Sequence, residues 1–265
     1  EAGISEAETD AWILLEHVTN ISRAMYYVNP KQEMSVAQKA AYCNYIEKRR
    51  QRIPVQHLTG EQEFMGMTFE VNEHVLIPRQ DTETLVEAVL ENMKENMRVL
   101  DMCTGSGCIL ISLMKMTQDS RGRDCIRGIG VDVSEEALEV ARRNARRQGT
   151  EAVFVQSDLF KNVEGMYDVI VSNPPYIKTA VIEELQDEVR LHDPYAALDG
   201  KEDGLFFYRE IIKEGRRYLK KGGRMYFEIG CDQGEEVKKL MEEAGFAKVT
   251  VKKDLAGLDR VVSGV

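Results

Sequence analysis

The residues Asn173-Pro174-Pro175-Tyr176 follow the apolar, β-branched run 169–171 after a single residue, Ser172. Such a run predicts a buried strand, and two prolines, which lack an N–H and fix φ near ~−65°, predict a stiff turn after it. The Asn173 amide oxygen and the Pro174 carbonyl oxygen can both accept hydrogen bonds at this turn. Two fixed acceptors beside the aromatic face of Tyr176 suit a planar –NH2 group. For Pro-Pro alone, a rigid surface loop would be the simpler interpretation.

A second candidate site lies in the stretch 99–107, where a predicted strand runs into a glycine-containing turn and then a helix. Gly105 and Gly107 allow a ligand to approach the backbone closely, and a helix N-terminus favours negative groups. A dinucleotide-binding fingerprint requires a third small residue where this chain has Leu110. The pattern therefore argues against NAD and its pyrophosphate.

Two carboxylates end the next two predicted strands. Asp132 can accept both ribose hydroxyls of a nucleoside, while Asp158 can accept from an adenine amino group and Leu159 can cover the ring. A helix N-cap for Asp132 and a turn carboxylate for Asp158 are the structural alternatives. Together with the glycine turn, these strand ends describe a ligand with an adenosine and no pyrophosphate. S-adenosylmethionine fits, with its carboxylate and amino group near Asp101 and the glycine turn.

Composition narrows the class of protein. The chain has 265 residues, 43% of them hydrophobic, which suffices for one large domain or a medium one with a small one. A net charge of −10 argues against wide nucleic-acid contact. We see no signal peptide and no apolar run near the ~20 residues of a membrane span. The five cysteines form no Cys-x-x-Cys pair and the four histidines are scattered, so we expect a cytoplasmic protein with reduced thiols and no metal site.

Apolar spacing predicts helices up to about residue 52, a hairpin around Gly66 and a helix from Glu83 capped by Asp81 or Thr82. From Arg98 onward, strands alternate with helices, which predicts a parallel sheet with helices on both faces. The predicted strands are about 98–102, 126–132, 152–156, 167–172, 224–229, 247–252 and 260–264. The predicted helices lie near 106–116, 134–148, 181–189, 204–219 and 233–244.

These motifs carry a resemblance to a known family. Asp101-x-Cys-Thr-Gly-Ser-Gly107, Asp132 and Asn173-Pro-Pro-Tyr176 resemble the Rossmann-like S-adenosylmethionine-dependent methyltransferases that act on planar nitrogen. Within that group, the tetrapeptide is shared by adenine-N6 DNA methyltransferases and the N5-glutamine methyltransferases of peptide-chain release factors. The rest of the chain resembles the second, HemK/PrmC-like, family. The features concerned are the helical N-terminal region, the hairpin, the run Ile77-Pro78-Arg79-Gln80-Asp81-Thr82-Glu83 and the late Gly257-x-Asp259-Arg260.

The resemblance, which covers essentially the whole chain, implies an α/β fold with a seven-stranded, mostly parallel Rossmann-like methyltransferase sheet. It implies a helical substrate-recognition domain at 1–53, a linker with a β-hairpin at 54–78 and a methyltransferase domain at 79–265. S-adenosyl-L-methionine would be the cofactor and S-adenosyl-L-homocysteine the product. The implied substrate is the glutamine of the Gly-Gly-Gln motif of peptide-chain release factors, with neither nucleic acid nor membrane as a partner.

The resemblance also implies roles for individual residues. The predicted catalytic residues are Asn173, Pro174, Pro175 and Tyr176. The predicted cofactor-binding residues are Asp101, Cys103, Thr104, Gly105, Ser106, Gly107, Asp132, Asp158, Leu159 and Asn173. The family usually has Gly at the position of Cys103, so we expect a slightly different turn there. Some members have an aromatic residue at the position of Leu159, so we expect weaker adenine stacking.

Two other functions remain open at this point. An N6-adenine methyltransferase acting on DNA or RNA would use the same tetrapeptide, but it needs a flipped base and a cationic cleft, which the net charge of −10 disfavours. A non-catalytic, cofactor-binding adaptor is disfavoured by the intact Asn173 and glycine turn.

Overall fold

The N-terminal region of the protein is helical, as predicted. A computed structural model describes residues 3–29, 31–121 and 126–265. The N-terminal helices are α1 (Ala7–Thr19), α2 (Arg23–Val28), α3 (Val36–Arg50) and α4 (Val55–Thr59). Ser35 begins α3 with a capping box, in which its side chain and that of Gln38 satisfy each other's backbone N–H. A salt bridge of 2.7 Å between Arg49 and the buried Asp10 joins α3 to α1.

A β-hairpin follows, formed by β1 (Glu61–Phe64) and β2 (Met67–Glu70). Met65 and Gly66 both have positive φ, 51° and 71°, as a two-residue hairpin turn requires. Phe64 and Phe69 are buried in the same core as the helices of the larger region. The hairpin therefore packs as part of that core, and the predicted domain boundaries at residues 53 and 78 stay a prediction.

The larger region is built on a seven-stranded sheet in the described part of the chain, as predicted. Its strands are β3 (Met97–Met102), β4 (Ile126–Asp132), β5 (Val153–Gln156), β6 (Tyr167–Ser172), β7 (Leu219–Glu228), β8 (Thr250–Lys253) and β9 (Asp259–Gly264). The spatial order is β5-β4-β3-β6-β7-β9-β8. All pairs are parallel except those that β9 makes with β7 and with β8.

Helices cover both faces of this sheet. They are α5 (Glu83–Leu90), α6 (Cys108–Arg121), α7 (Glu135–Gln148), α8 (Asp187–Arg190), α9 (Tyr195–Leu198), α10 (Phe206–Gly215) and α11 (Gly234–Glu243). One core contains buried residues of α5, α6 and α7, and the opposite core contains those of α10 and α11. Strands buried on both sides need continuous apolar runs, which explains why the run 169–171 does not alternate with polar residues.

Three local predictions were wrong. The predicted helix 181–189 is a 3-10 helix, Thr179–Glu184, followed by the single turn α8, because Leu185 between them is extended with ψ 158°. The predicted helix 204–219 stops at Gly215, and residues from Leu219 join β7 instead. Thr82 makes no cap hydrogen bond, since it is itself helical at the end of a 3-10 turn that leads into α5.

The strand order creates a crevice between β3 and β6. The chain leaves β3 for α6 on one face of the sheet and leaves β6 for α10 on the other. Ligands of open α/β sheets bind at such a switch point, outside the carboxyl ends of the strands. The glycine turn follows β3 and the Asn-Pro-Pro-Tyr turn follows β6, so the topology brings both predicted motifs to this crevice.

Within residues 3–29, 31–121 and 126–265, no helix combines the length and the apolar character that crossing a bilayer requires. Cys43, Cys103, Cys108 and Cys231 are free thiols. The expectation of a reduced thiol at Cys125 lies outside the described residues.

Asn144 ties the hairpin to the glycine turn, and its loss should destabilise the fold. The fully buried side chain accepts from Glu70 N at 2.7 Å and donates to Glu70 O and Ser106 O at 3.0 Å each. We expect Asn144→Ala to lower the free energy of unfolding by about 2–4 kcal/mol, because several buried backbone groups lose their partners. Urea unfolding measures this change. The exposed Asn162, which donates to Gln156 O at 2.9 Å, is the control: equal losses for Asn162→Ala and Asn144→Ala would contradict the assignment.

Candidate active site

A cavity of about 370 Å³ lies at the crevice, within the size range of small-molecule sites. The loops after β3, β4, β5 and β6 form one side. Residues 74–79 and 194–207 form the other. The predicted site residues that line it are Cys103, Thr104, Gly105, Ser106, Asp132, Asp158, Leu159, Asn173 and Pro175. The structure thus brings most of the predicted residues to one cavity, while their individual roles stay predictions.

The glycine turn begins with Cys103 in the left-handed conformation, at φ 59°. Glycine adopts this conformation without penalty, whereas other L-residues pay about 1–2 kcal/mol. Cys103 therefore adopts a backbone conformation that glycine would take without strain, and the expectation of a slightly different turn stays a prediction. Thr104 N donates to Val131 O at 3.0 Å and Gly105 N to Asp132 Oδ2 at 2.9 Å, which anchors the turn to the end of β4.

Asp101 and Gly107 belong to the predicted cofactor motif but lie behind the cavity wall. Asp101 is fully buried and accepts from Thr104 Oγ1 at 2.6 Å. Burial raises the pKa of this carboxyl to about 7. At Gly107 a Cβ would lie 2.9 Å from Ile111 Cδ1 and 3.1 Å from Ala141 Cβ. Both residues therefore support the shape of the turn from behind.

Asp132 lines the cavity with part of its hydrogen-bonding capacity free. Its two carboxylate oxygens accept from Gly105 N at 2.9 Å and Ser134 N at 3.0 Å. A carboxylate has about four acceptor positions, so roughly two remain for hydroxyl donors. The helix-cap alternative is wrong, because Ser134 is the residue whose side chain caps α7, accepting from Ala137 N at 3.1 Å. Burial raises the pKa of Asp132.

Asp158 and Leu159 lie at the end of the cavity below β5. Asp158 is exposed and forms a 2.6 Å ion pair with Lys161. This contact is the one expected of a carboxylate in a turn, and the adenine-binding role of Asp158 stays a prediction. Leu159 has a positive φ of 49°, and its carbonyl accepts from Ser157 Oγ at 2.6 Å. This bond holds the Leu159 side chain at the cavity, where an apolar ring could pack on it.

Asn173 lies on the cavity wall with its side-chain amide oriented by Thr82. Asn173 Nδ2 donates to Thr82 Oγ1 over 3.5 Å, and Thr82 also lines the cavity. Within the described residues no donor to Asn173 Oδ1 is found, so this oxygen is available as an acceptor. Thr82 was not among the predicted site residues; the sequence suggested only a helix cap for it.

Pro174 and Tyr176 are placed differently from Asn173 and Pro175. Neither is among the described residues that line the cavity. The Tyr176 hydroxyl donates to Glu228 Oε1 over 3.5 Å. Burial raises the pKa of Tyr176, with the Glu228 charge adding to the effect, and burial also raises the pKa of Glu228 to about 7. The Tyr176 hydroxyl and the Glu228 carboxyl thus form a polar pair at the carboxyl end of β7.

The second side of the cavity was missed by the sequence-based prediction. It includes His74, Val75, Leu76, Pro78, Arg79, Pro194, Ala196, Ala197, Lys201 and Phe207. A 2.7 Å ion pair between Arg79 and Asp193 joins the two segments. Loops and single helical turns carry too little periodicity to reveal such a wall. Among the described residues, no group of three or more His, Cys, Asp or Glu side chains could hold a metal ion.

The N-terminal helices are attached next to this wall. Glu188 Oε1 accepts from Arg49 Nη2 at 3.0 Å and from Arg52 Nη1 at 3.1 Å. Arg49 lies in the last turn of α3, and Arg52 lies two residues beyond the end of this helix. The shared carboxylate lies on α8, five residues before Asp193.

Comparison with known proteins places these features in a family. Residues 1–60 match the model of the PrmC N-terminal domain, and residues 79–189 match that of the methyltransferase small domain. A release factor glutamine methyltransferase from Caulobacter vibrioides is 41% identical over all of this chain and 91% of its own length. The chain belongs to the release factor glutamine methyltransferase family. A member from Geobacter sulfurreducens is 39% identical, over 100% of this chain and 91% of its own.

Solved structures agree with the fold. A methyltransferase from Pyrococcus furiosus has a TM-score of 0.57 at 19% identity, over 82% of this chain and 98% of its own. A Thermus thermophilus 16S rRNA N2 methyltransferase in complex with AdoMet and guanosine has a TM-score of 0.55 at 16% identity, over 77% of this chain and 49% of its own. The Rossmann-like methyltransferase fold implied by the motifs is thereby confirmed.

The raised pKa of Glu228 makes a prediction for stability. Below about pH 4.5 this carboxyl is protonated in both the folded and the unfolded chain. Between about pH 4.5 and pH 7 the unfolded chain has lost the proton, whereas the folded chain still holds it. Because the folded pKa is about 7 against an ordinary 4.5, stability falls as the pH rises between these values, by about 3 kcal/mol in total. Glu228→Gln removes this titrating group. From about pH 4 to pH 8, the free energy of unfolding of the variant should therefore rise by that amount relative to that of the wild type.

Urea unfolding at a series of pH values tests this. Glu63→Gln, which removes an exposed carboxyl from the hairpin, is the control for the loss of one acidic group. If the difference between Glu228→Gln and wild type stays constant over this range, the Glu228 carboxyl does not titrate as described.

Proposed function

We propose that the protein transfers a methyl group from S-adenosyl-L-methionine to the side-chain amide nitrogen of the glutamine in the Gly-Gly-Gln motif of peptide-chain release factors. The observation that carries this proposal is the Asn173 amide. It lies on the wall of the cavity, is turned by Thr82, and keeps Oδ1 free as an acceptor. Family membership supports the substrate, since the relatives are named for it.

The donor set of the cavity fits the proposed cofactor. The free acceptor positions of Asp132 match two ribose hydroxyls, while Asp158 and Leu159 offer a carboxylate and an apolar surface for adenine. The carboxylate and amino group of the cofactor would lie near the turn at 103–107, whose Thr104, Gly105 and Gly107 N–H groups are engaged within the protein. When bound, S-adenosylmethionine supplies an electrophilic methyl group on sulfur. The chain itself binds and orients it, and provides no pyrophosphate site.

Asn173 would act on the substrate amide. An amide nitrogen is a weak nucleophile, because its lone pair is delocalised into the carbonyl. Asn173 Oδ1 would accept one amide hydrogen and aim the nitrogen at the methyl group. The Pro174 carbonyl would accept the other hydrogen, and because Pro174 is not among the described lining residues, this contact requires that the substrate amide reach past Asn173. Such orientation can lower a barrier by ~7–11 kcal/mol. The acceptors bind more strongly as the nitrogen gains positive charge, so they favour the transition state.

Charge on the cavity rim supports a protein substrate over a nucleic acid. Among the described residues, two Arg or Lys side chains line the cavity, Arg79 and Lys201. Arg79 is paired with Asp193 at 2.7 Å and Lys201 with Asp199 at 2.9 Å. A base-flipping enzyme needs unpaired cations for the phosphates. The paired rim and the net charge of −10 therefore favour the glutamine substrate, which would be met in the cytoplasm.

The helical region 1–53 would recognise the rest of the release factor. One glutamine side chain is too small to specify one protein, and specific interfaces bury ~1,200–2,000 Å² in total. Helix α2 exposes apolar side chains, among them Met25, Tyr27 and Val28. The links from Arg49 and Arg52 to Glu188 hold this region close to the 194–207 wall of the cavity.

Asn173→Ala separates chemistry from cofactor binding. The variant should lose turnover on release factor by about 100-fold or more, because orientation of the amide is lost. Calorimetry should give an S-adenosylmethionine affinity close to that of the wild type. Asp132→Ala should have the opposite effect on cofactor binding. It should weaken the binding of S-adenosylmethionine by about 1–3 kcal/mol, because the ribose hydroxyls lose their acceptors. Near-wild-type turnover of Asn173→Ala would disprove the acceptor role.

A truncated chain of residues 54–265 tests the proposed recognition domain. It retains the hairpin and the whole cavity, so it should bind S-adenosylmethionine with wild-type affinity. Its kcat/KM on intact release factor should fall by about 10–100-fold, a loss of roughly 1.4–2.8 kcal/mol of binding. Its rate on a short Gly-Gly-Gln peptide should be unchanged. A truncated chain that methylates intact release factor as efficiently as the whole protein would refute this role, and one that cannot bind cofactor would show that helices α1–α3 serve stability.

A further inference from the structure

The Asn-Pro-Pro-Tyr turn is held at its far end by a glutamine that nothing above assigns to the site. Gln233 lies just before α11 and is 6% exposed. Its Nε2 donates to the Tyr176 carbonyl oxygen at 3.1 Å and to the Gly204 carbonyl oxygen at 3.3 Å. Its Oε1 accepts from Gly230 N at 3.0 Å. One side chain thus joins the turn after β6, the loop at 200–204 and the turn after β7.

Close packing leaves Tyr176 little freedom around this glutamine. A Cβ at Gly200 would lie 2.7 Å from Tyr176 Cα, and one at Gly204 would collide with the Tyr176 carbonyl oxygen. The main chain of Tyr176 is therefore enclosed by the 200–204 loop, with Gln233 bonded to both. Ile177 N donates to Leu198 O at 3.0 Å, which continues the same attachment beyond the turn.

The near end of the turn is held by the sheet. Ser172 pairs with Met102 of β3 and with Phe227 of β7. Between this point and Tyr176, the two prolines have no N–H to donate. The position of the Pro174 carbonyl therefore depends on how the two ends are fixed, and Gln233 fixes the second one.

We propose that Gln233 is a positioning residue for methyl transfer, which sets the geometry of Asn173 and the Pro174 carbonyl by holding the carbonyl of Tyr176. This inference rests on the proposed function. A glutamine is suited to this place, because its amide nitrogen donates to carbonyl oxygens of two different segments. Its amide oxygen accepts from the backbone N–H of a third segment. Leucine has a similar volume and can form none of these bonds.

Gln233→Leu gives the first measurement, with kcat and KM on release factor determined separately. Because a displacement of ~1 Å at a reacting group can cost about 100-fold in rate, we expect kcat to fall by roughly 10–100-fold. The KM for release factor and the S-adenosylmethionine affinity should stay within about two-fold, since Gln233 touches neither ligand. Gln148→Leu is the matched control: it removes the donor to the Thr68 carbonyl, at 2.7 Å, far from the turn, and should leave kcat unchanged.

Gln233→Glu allows a second measurement, the pH dependence of kcat, which a loss of stability alone would not change. A carboxylate would face the carbonyl oxygens of Tyr176 and Gly204 in a buried place, which raises its pKa. Once protonated, it has one O–H and can again donate to the Tyr176 carbonyl. The ratio of kcat for Gln233→Glu to kcat for Gln233→Leu should therefore rise as the pH is lowered from about 8.5 to about 6. Glu228 is present in both variants, so its own titration enters both rates.

The outcomes are distinct. A wild-type protein that does not methylate release factor overturns the proposed function, and this inference with it. An active wild type with Gln233→Leu as active as Gln148→Leu overturns the positioning role alone. The same holds if the ratio of the two Gln233 variants does not change with pH. A selective loss of kcat together with the pH-dependent recovery supports the role.

Discussion

The parallel pairing of β3 with β6 is the constraint on which the rest of the molecule depends. In its register Met102 lies beside Ser172, and Ser172 Oγ donates to the Met102 carbonyl at 2.7 Å. The strands therefore end together, and the glycine turn and the Asn-Pro-Pro-Tyr turn start from adjacent points. Since α6 and α10 pack on opposite faces, the two segments then diverge and leave a cavity. A shift of one residue would turn both motifs away from each other.

This frame was predictable, because each of its parts has a local signal. Alternation of apolar strands and amphipathic helices predicts the sheet, and the polar residues Asp132 and Asn173 mark strand ends. Which motif residues meet a ligand is not a local property. Asp101 is fully buried on β3, with Oδ2 bonded to Thr104 Oγ1, and is not among the residues that line the cavity. Gly107 is also outside the lining, because a Cβ there would meet Ile111 of α6 and Ala141 of α7.

The remaining parts of the site depend on contacts between distant residues. Arg79 and Asp193 are 114 positions apart, and only short helical turns flank the segments that they join. Glu228 gave a weak signal, as a carboxylate at the end of a predicted strand, but only the fold places it against the Tyr176 hydroxyl. The 3-10 turn before α5 likewise converts Thr82 from an expected helix cap into the residue that orients Asn173.

Cys103 has a consequence for the durability of the protein. A cysteine in the wall of a methyl-donor site is itself a nucleophile that could be alkylated, and only its thiolate reacts readily. Burial raises the pKa of this thiol, and the nearby charges of Asp132 and Asp101 raise it further. The sulfur therefore stays protonated and inert beside an electrophile. Burial, with a smaller contribution from the carboxylates near the turn, thus protects the chain against its own chemistry. An ordinary thiol reagent would modify the exposed Cys43 and Cys231 well before it reached the cavity.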